Sequence, residues 1–342
     1  MGFIIKALAS IIVFSSVIFV HEFGHFIVAK LSGIRVNEFS LGMGPKLLGF
    51  KKGETDYSLR ALPIGGFVAM EGEDEESEAD GAFNKAHVQN RIAVVVAGAV
   101  MNFLFGFIIL VFLTSQQPVI TSRTISQFYE GATTAQTGLQ INDEILAVNG
   151  RRCYIANDII YEFARTQNGV ADFTVRRDGN IVQLEDVTFE TYTDDAGIKQ
   201  LVIDFYVHPE EKTFNSVINE AINWTLSITR LVFLSLVDLV TGHIAINQMA
   251  GPVGIVSVIS EATTLGLESV LNILAMITIN LGVFNMVPFP ALDGGRLMFL
   301  LFELFTGKQI NQKYEILVNT IGMGILLSFM AFVTFSDITK LF

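Results

Sequence analysis

Residues 3–20, FIIKALASIIVFSSVIFV, carry one charge, Lys6, and run straight into His21-Glu22-Phe23-Gly24-His25 and a further apolar FIVAKLSG. A bilayer core takes roughly 20 mostly apolar residues to cross. The stretch therefore predicts a membrane span with three ionisable side chains in or beside it. Such groups are costly in lipid unless they serve something. On a helix, His21 and His25 lie one turn apart on the same face. Two imidazoles so placed can hold one metal ion, with Glu22 beside them as a general base. A polar cluster between helices, or a proton path, is the other use of such groups, and a proton path does not require this spacing. The metal reading makes a demand: a third protein ligand elsewhere and an open position for water.

The remainder of the chain fits a membrane protein with a soluble part. Of 342 residues, 51% are hydrophobic and 16% charged, too apolar for an ordinary soluble protein. The formal net charge of −12 argues against nucleic acid as a partner. Much of the acidity sits in EGEDEESEAD, residues 71–80, which reads as a solvated loop. One cysteine, Cys153, rules out an internal disulfide and a cysteine-built metal cage. The first stretch has no small-residue cleavage site and is read as retained.

In chain order, residues 3–31 form the first span. In 34–73 the runs NEFSLG, KLLGF, YSLRALPI and GGFVAM alternate with turn residues, a pattern of strands and hairpins. This region is too short and polar to span but apolar enough to touch a bilayer, and a free sheet edge in it could accept an extended peptide. It reads equally as a small surface sheet without such a role. Residues 91–114 form the second span, where Gly98, Ala99 and Gly106 permit close helix packing. Asn102, its one strongly polar interior residue, reads as an interhelical hydrogen-bond partner or as a site residue. Between 115 and 208 charges return, five strand-like runs appear, and ANDIIYEFARTQ (156–167) reads as an amphipathic helix. This is a soluble α+β module. Residues 213–250 are mixed: INEAINWTLSITRLVFLSLVDLV (218–240) is amphipathic or weakly spanning and reads as an interfacial helix returning to the membrane, with Trp224 suited to the interface, and His243 reads as a surface histidine.

The third span, 269–292, runs into Asn285-Met-Val-Pro288-Phe-Pro290-Ala-Leu-Asp293-Gly294-Gly295. Two prolines this close predict a broken helix, tolerated at membrane depth where backbone lines a cavity or is buried in protein. Asp293 is then a candidate third ligand, although alone it would read as part of a turn at the membrane surface. A fourth span covers 315–337. Lys30, Arg35, Lys85, Arg91, Arg296, Lys308 and Lys313 flank the first-to-second and third-to-fourth connections, which predicts that side as cytoplasmic. His25 and Asp293 then lie at similar depth towards the cytoplasm, and the soluble module lies on the opposite face.

Together these residues resemble the site-2 protease family of intramembrane zinc metalloproteases, closest to the bacterial branch that cleaves anti-sigma factors and remnant signal peptides. HEFGH at 21–25 is similar to the family's zinc motif. NMVPFPALDGG at 285–295 is similar to its Asn-x-x-Pro-x-Pro-x-Leu-Asp-Gly motif. GMGP (42–45) and GGFVAMEGE (65–73) resemble its membrane-associated β-hairpin region, and GPVGI (251–255) a stretch found after its soluble region. EGATTAQTGLQINDEILAVNG (130–150) resembles a PDZ signature. The chain departs in carrying Gly98-Ala99 where many relatives have Gly-Pro, Asn142 where a PDZ often has Gly, and room for only one PDZ-like module.

The resemblance implies a polytopic α-helical membrane protein of about four transmembrane helices, with a membrane-associated β-hairpin region and an inserted α+β PDZ-like domain. The implied divisions are 1–114 (N-terminal membrane core), 115–208 (PDZ-like, extracytoplasmic), 209–268 (interfacial connector) and 269–342 (C-terminal membrane core). It implies Zn2+ held by His21, His25 and Asp293, with Glu22 as proton acceptor and donor and Asn285 contacting the substrate backbone or oxyanion. The implied setting is the bacterial inner membrane. The implied partners are the lipid bilayer, single-span substrates cut first outside the membrane, and a peptide ligand for the PDZ-like groove. Three alternatives stay open: a membrane-anchored metalloprotease acting outside the bilayer, a non-enzymatic PDZ adaptor, and a transporter, for which the internal repeats are not seen.

Overall fold

The computed structural model describes residues 2–73, 75, 77–166, 168–193, 199–242 and 250–340. The chain divides into two compact units, one of residues 1–109 with 231–342 and one of residues 110–230.

Most of the long helices belong to the first unit. Helix α1 spans Gly2–Leu31 and α2 spans Val88–Gln116. After α5 (Phe214–Val240) come α6 (Pro252–Leu265), α7 (Leu267–Asn285), α8 (Asp293–Thr306) and α9 (Gln312–Thr339). Among the described residues, five helices are long and apolar enough to cross a membrane: α1, α2, α5, α7 and α9. The chain is a multi-pass membrane protein. The sequence reading gave four spans and an interfacial stretch. The structure makes that stretch one unbroken helix of 27 residues, long enough to cross a membrane although the least apolar of the five. Arg230 and Asp238, eight positions apart, interrupt its hydropathy but not its helical period. Two helices were not anticipated, α6 and α8. His243 lies outside the described residues.

Residues 34–73 form strands β1 (Val36–Lys52) and β2 (Thr55–Met70), antiparallel partners with irregular register. Glu38–Leu41 faces Gly66–Ala69 on one side and Asp56–Leu59 on the other, while Lys46–Lys52 faces Thr55–Arg60. The four apolar runs read from the sequence thus lie side by side as segments of two bent strands. Segment 66–70 is at one edge. Met43, Leu47, Leu48, Phe50 and Leu62 are exposed on this sheet, an apolar surface suited to lipid.

The second unit contains β3 (Ile120–Phe128), α3 (Thr133–Gln136), β4 (Glu144–Val148), β5 (Arg151–Arg152), α4 (Ala156–Ala164), β6 (Val170–Arg177), β7 (Asn180–Thr188), β8 (Thr191–Thr193), β9 (Lys199–Leu201) and β10 (Phe205–Glu210). Its main sheet has the order β10-β3-β4-β6-β7, with β5 on β4. The anticipated strands and the 156–167 helix fall on β3, β4, β6, β7, β9 with β10, and α4. Asp178-Gly179, both at positive φ, turns β6 into β7, as a two-residue hairpin requires. Asn142 takes a φ of 71°, a conformation asparagine tolerates, so glycine is not needed there. Phe163 of α4 packs on Phe173, Phe189 and Phe205 with centroids 6.0, 4.9 and 6.3 Å away, the aromatic centre of this core.

Candidate metal centre

His21 and His25 project from α1 towards α2. The two helices approach closely because the contact is built of small residues: a Cβ on Gly24 would stand 2.4 Å from the Ala97 carbonyl oxygen. On α2, Val94, Gly98 and Asn102 follow at four-residue intervals and so form one stripe. Each meets the imidazole pair. The Val94 carbonyl accepts from His25 Nδ1 at 2.8 Å. Gly98 leaves the space the rings fill, since a Cβ there would be 2.4 Å from His25 Nε2 and 2.6 Å from His21 Cε1. Asn102 Nδ2 lies 3.2 Å from His21 Nδ1.

Asp293 arrives from the far end of the chain. Helix α7 ends at Asn285, and Pro288 and Pro290 fall in the run of turns that separates it from α8, which begins at Asp293. The anticipated proline break is therefore present, seven residues earlier than the span drawn from the sequence. Ala291 sits at φ 72°, a left-handed conformation rare for alanine, and its N–H donates to Asn319 Oδ1 of α9 at 3.2 Å. Gly294 lets α8 start hard against this loop: a Cβ there would lie 2.2 Å from the Val287 carbonyl oxygen. A carboxylate in the first turn also suits the positive end of α8.

The result is a compact donor set. His21 Nε2 and His25 Nε2 are 3.2 Å apart, and Asp293 Oδ2 lies 3.2 and 3.3 Å from them. Among the described residues these three make the one group of histidine, cysteine or acidic side chains able to hold a metal ion, with ligand atoms within 4.8 Å of one another. Both histidines are 8% exposed. The set fits a metal on the structure's own terms. Asp293 Oδ2 is buried with no hydrogen-bond donor aimed at it, a costly state that a cation relieves. His25 Nδ1 must carry the proton it gives to Val94, so its Nε2 presents a lone pair.

A cavity of about 200 Å³ opens beside this set, lined by Glu22, Phe67, Val68, Met70, Glu73 and Arg296 as well as the three donors. Glu22 is thus next to the donors without belonging to them. Edge segment 66–70 comes close: a Cβ on Gly66 would be 3.1 Å from Glu22 Cγ. Asn285 Nδ2 lies 3.3 Å from His21 Nε2. Arg296 pairs with Glu73 beyond β2 and lies 3.6 Å from Glu315 Oε1 of α9, tying three elements together at the cavity mouth. Sequence reasoning missed the contributions of Val94, Gly98, Glu73 and Arg296 to the site. Val94 acts through its backbone, which leaves no trace in residue type. Gly98 and Asn102, spaced four apart in an otherwise apolar helix, did leave one.

Two imidazoles and one carboxylate leave a metal with room for water and substrate, and a second carboxylate stands by to move a proton. That combination defines a metallohydrolase held in a membrane. The family model described as Peptidase family M50 matches residues 9–329, and the chain belongs to that family, the site-2 proteases. A protein of Clostridium perfringens whose name describes a zinc metalloprotease is 36% identical over 96% of this chain and 97% of its own length. The regulator of sigma-W protease RasP of Bacillus subtilis is 30% identical over 99% of this chain and all of its own length. The zinc metalloprotease RasP of Bacillus licheniformis is also 30% identical, over 98% of this chain and 99% of its own. The chain is a zinc metalloprotease and its cofactor is Zn2+.

Proposed function

We propose that this protease cleaves peptide bonds within the membrane segments of single-span proteins, after an external cut has shortened them. His21, His25 and Asp293 hold the zinc ion, and Glu22 is the catalytic base. The observation that carries this reading is the convergence of donors from α1 and α8 beside a carboxylate and a sheet-edge segment.

The bound ion would supply Lewis acidity, lowering the pKa of a water and polarising the scissile carbonyl. Glu22, beside the donors, takes the proton of the attacking water and returns it to the leaving amine. Asn285, next to His21 Nε2, offers an amide N–H to the oxygen that gains charge in the transition state. A helical substrate hides its carbonyls in its own hydrogen-bond ladder and must unwind to be cut. Segment 66–69 is the sheet edge beside the cavity, a place where an unwound strand could be bonded instead. Arg296, in ion pairs with Glu73 and Glu315, lines the cavity.

Residues 115–208 are a PDZ module in this reading. It lies outside the cytoplasm and admits only substrates whose external domains have been trimmed. Its groove offers a site for a peptide end. The basic residues flanking the α1–α2 and α7–α9 connections support a bacterial inner-membrane protein with its catalytic centre towards the cytoplasm. RasP of Bacillus subtilis is by name a regulator of sigma-W, which supports an anti-sigma factor as one substrate class; remnant signal peptides are another.

The test uses the purified full chain in detergent with a single-span model substrate. Glu22→Gln should keep its zinc and lose cleavage by about 10²–10⁴-fold. Asp293→Ala should lose zinc. Wild-type turnover by the Gln variant, or full zinc in the Ala variant, would reject the assignment.

A further inference from the structure

Asn102 is fully buried at 0% exposure, and its amide is half satisfied. Its Nδ2 lies 3.2 Å from His21 Nδ1, while its Oδ1 has no hydrogen-bond partner. The orientation matters because the two ring nitrogens of a neutral imidazole divide one proton. An amide N–H donating to Nδ1 leaves the proton on His21 Nε2. That is the atom 3.2 Å from both His25 Nε2 and Asp293 Oδ2. A protonated Nε2 cannot ligate a metal. Turning the amide by half a revolution exchanges two ends of nearly equal size. Oδ1 then accepts from His21 Nδ1–H, the orphaned oxygen is satisfied, and Nε2 presents a lone pair. His25 already has this arrangement, with the Val94 carbonyl as its acceptor.

We infer that Asn102 is the positioning residue that sets the tautomer of His21, its Oδ1 accepting from Nδ1–H so that Nε2 presents its lone pair to zinc. The position is held from both sides: Thr278 Oγ1 of α7 donates to the Asn102 carbonyl at 3.3 Å, and Gly98, one turn away, admits the imidazoles. Metal-bound histidines commonly give their second N–H to an acceptor, and loss of that acceptor typically costs 10–100-fold in metal affinity. The inference rests on His21 being a zinc ligand.

The experiment is zinc affinity by chelator competition on full-length protein in detergent, for Asn102→Leu, Asn102→Asp and His21→Ala. Asn102→Leu keeps the shape and removes the acceptor, and should bind zinc about 10–100-fold more weakly. Asn102→Asp can only accept, and should bind at least as tightly as the wild type. Affinity in the Leu variant equal to wild type overturns the inference, as does an Asp variant as weak as the Leu variant. The Asp variant decides the matter even if the Leu variant does not fold, because a donor role for Asn102 predicts weaker zinc binding there. His21→Ala separates the two levels. If it keeps wild-type affinity, His21 is not a ligand and the inference falls with that reading; if it loses zinc while Asn102→Leu does not, only the inference falls.

Discussion

Gly98 and His25 meet where nothing larger than hydrogen fits: a Cβ on Gly98 would stand 2.4 Å from His25 Nε2. One position on α2 thereby controls whether two imidazoles on α1 can turn inwards.

Gly98→Ala should accordingly weaken zinc binding by at least about 10-fold, as loss of a ligand's support does. In an open helix the same change would add up to about 1 kcal/mol through helix propensity. Overpacking at the imidazoles costs about 1–3 kcal/mol and should win. Gly324 of α9 is the control, with no atom within 4 Å of its added Cβ. Gly324→Ala should be neutral or stabilising in a detergent melt, with zinc content unchanged. Equal zinc affinity in Gly98→Ala and wild type would contradict the packing argument.

Gly294 constrains Asp293 in the same way. The atom in the path of its Cβ is a backbone oxygen, Val287 O at 2.2 Å, which no side-chain rotation can clear. Gly294→Ala must move the start of α8 and Asp293 with it. Misplacement of about 1 Å at a reacting centre can cost 10²-fold, so cleavage of a model substrate should drop by at least that factor. Turnover within a few-fold of wild type would show that the loop yields.

In the second unit, Asp143 is fully buried and holds Arg177 in a two-point pair, at 2.8 Å from Nε and 2.7 Å from Nη2. Removing one partner of such a pair typically costs 3–5 kcal/mol. Arg177 keeps some solvent, at 22% side-chain exposure, so about 3 kcal/mol is expected for Asp143→Ala. Hydrogen exchange of β4 and β6 in the intact chain would report it as faster opening there. Unchanged protection would mean that the pair adds nothing.

Burial, with the Asp158 carboxylate adding to it, pushes the Cys153 thiol up to about 12. At pH 8 the folded protein should therefore alkylate at least about 10³-fold more slowly than a free cysteine, and at the free rate once denatured. The difference should narrow as pH rises towards 12, because the thiolate forms only then. Rapid labelling of the native chain at pH 8 would show that this core opens.

The span-length apolar stretches, the histidine spacing on the first helix, the proline break before Asp293 and the turn residues of the second unit are all legible in the order of the residues. Each depends on near neighbours in the chain: a repeat of 3.6 residues, the fixed φ of proline, the left-handed freedom of Gly and Asn. What lies around the donors comes from the packing of distant segments. Val94 contributes a carbonyl that any residue would carry, Gly98 an absence, and Asn102 an amide whose partner is 81 positions away. Helix α8 escaped notice because its apolar residues run on from a proline loop, and it reads as a helix only once Gly294 is seen packed on Val287. Local order is written in adjacent residues. A metal's surroundings depend on how closely three distant helices can approach, which packing alone determines.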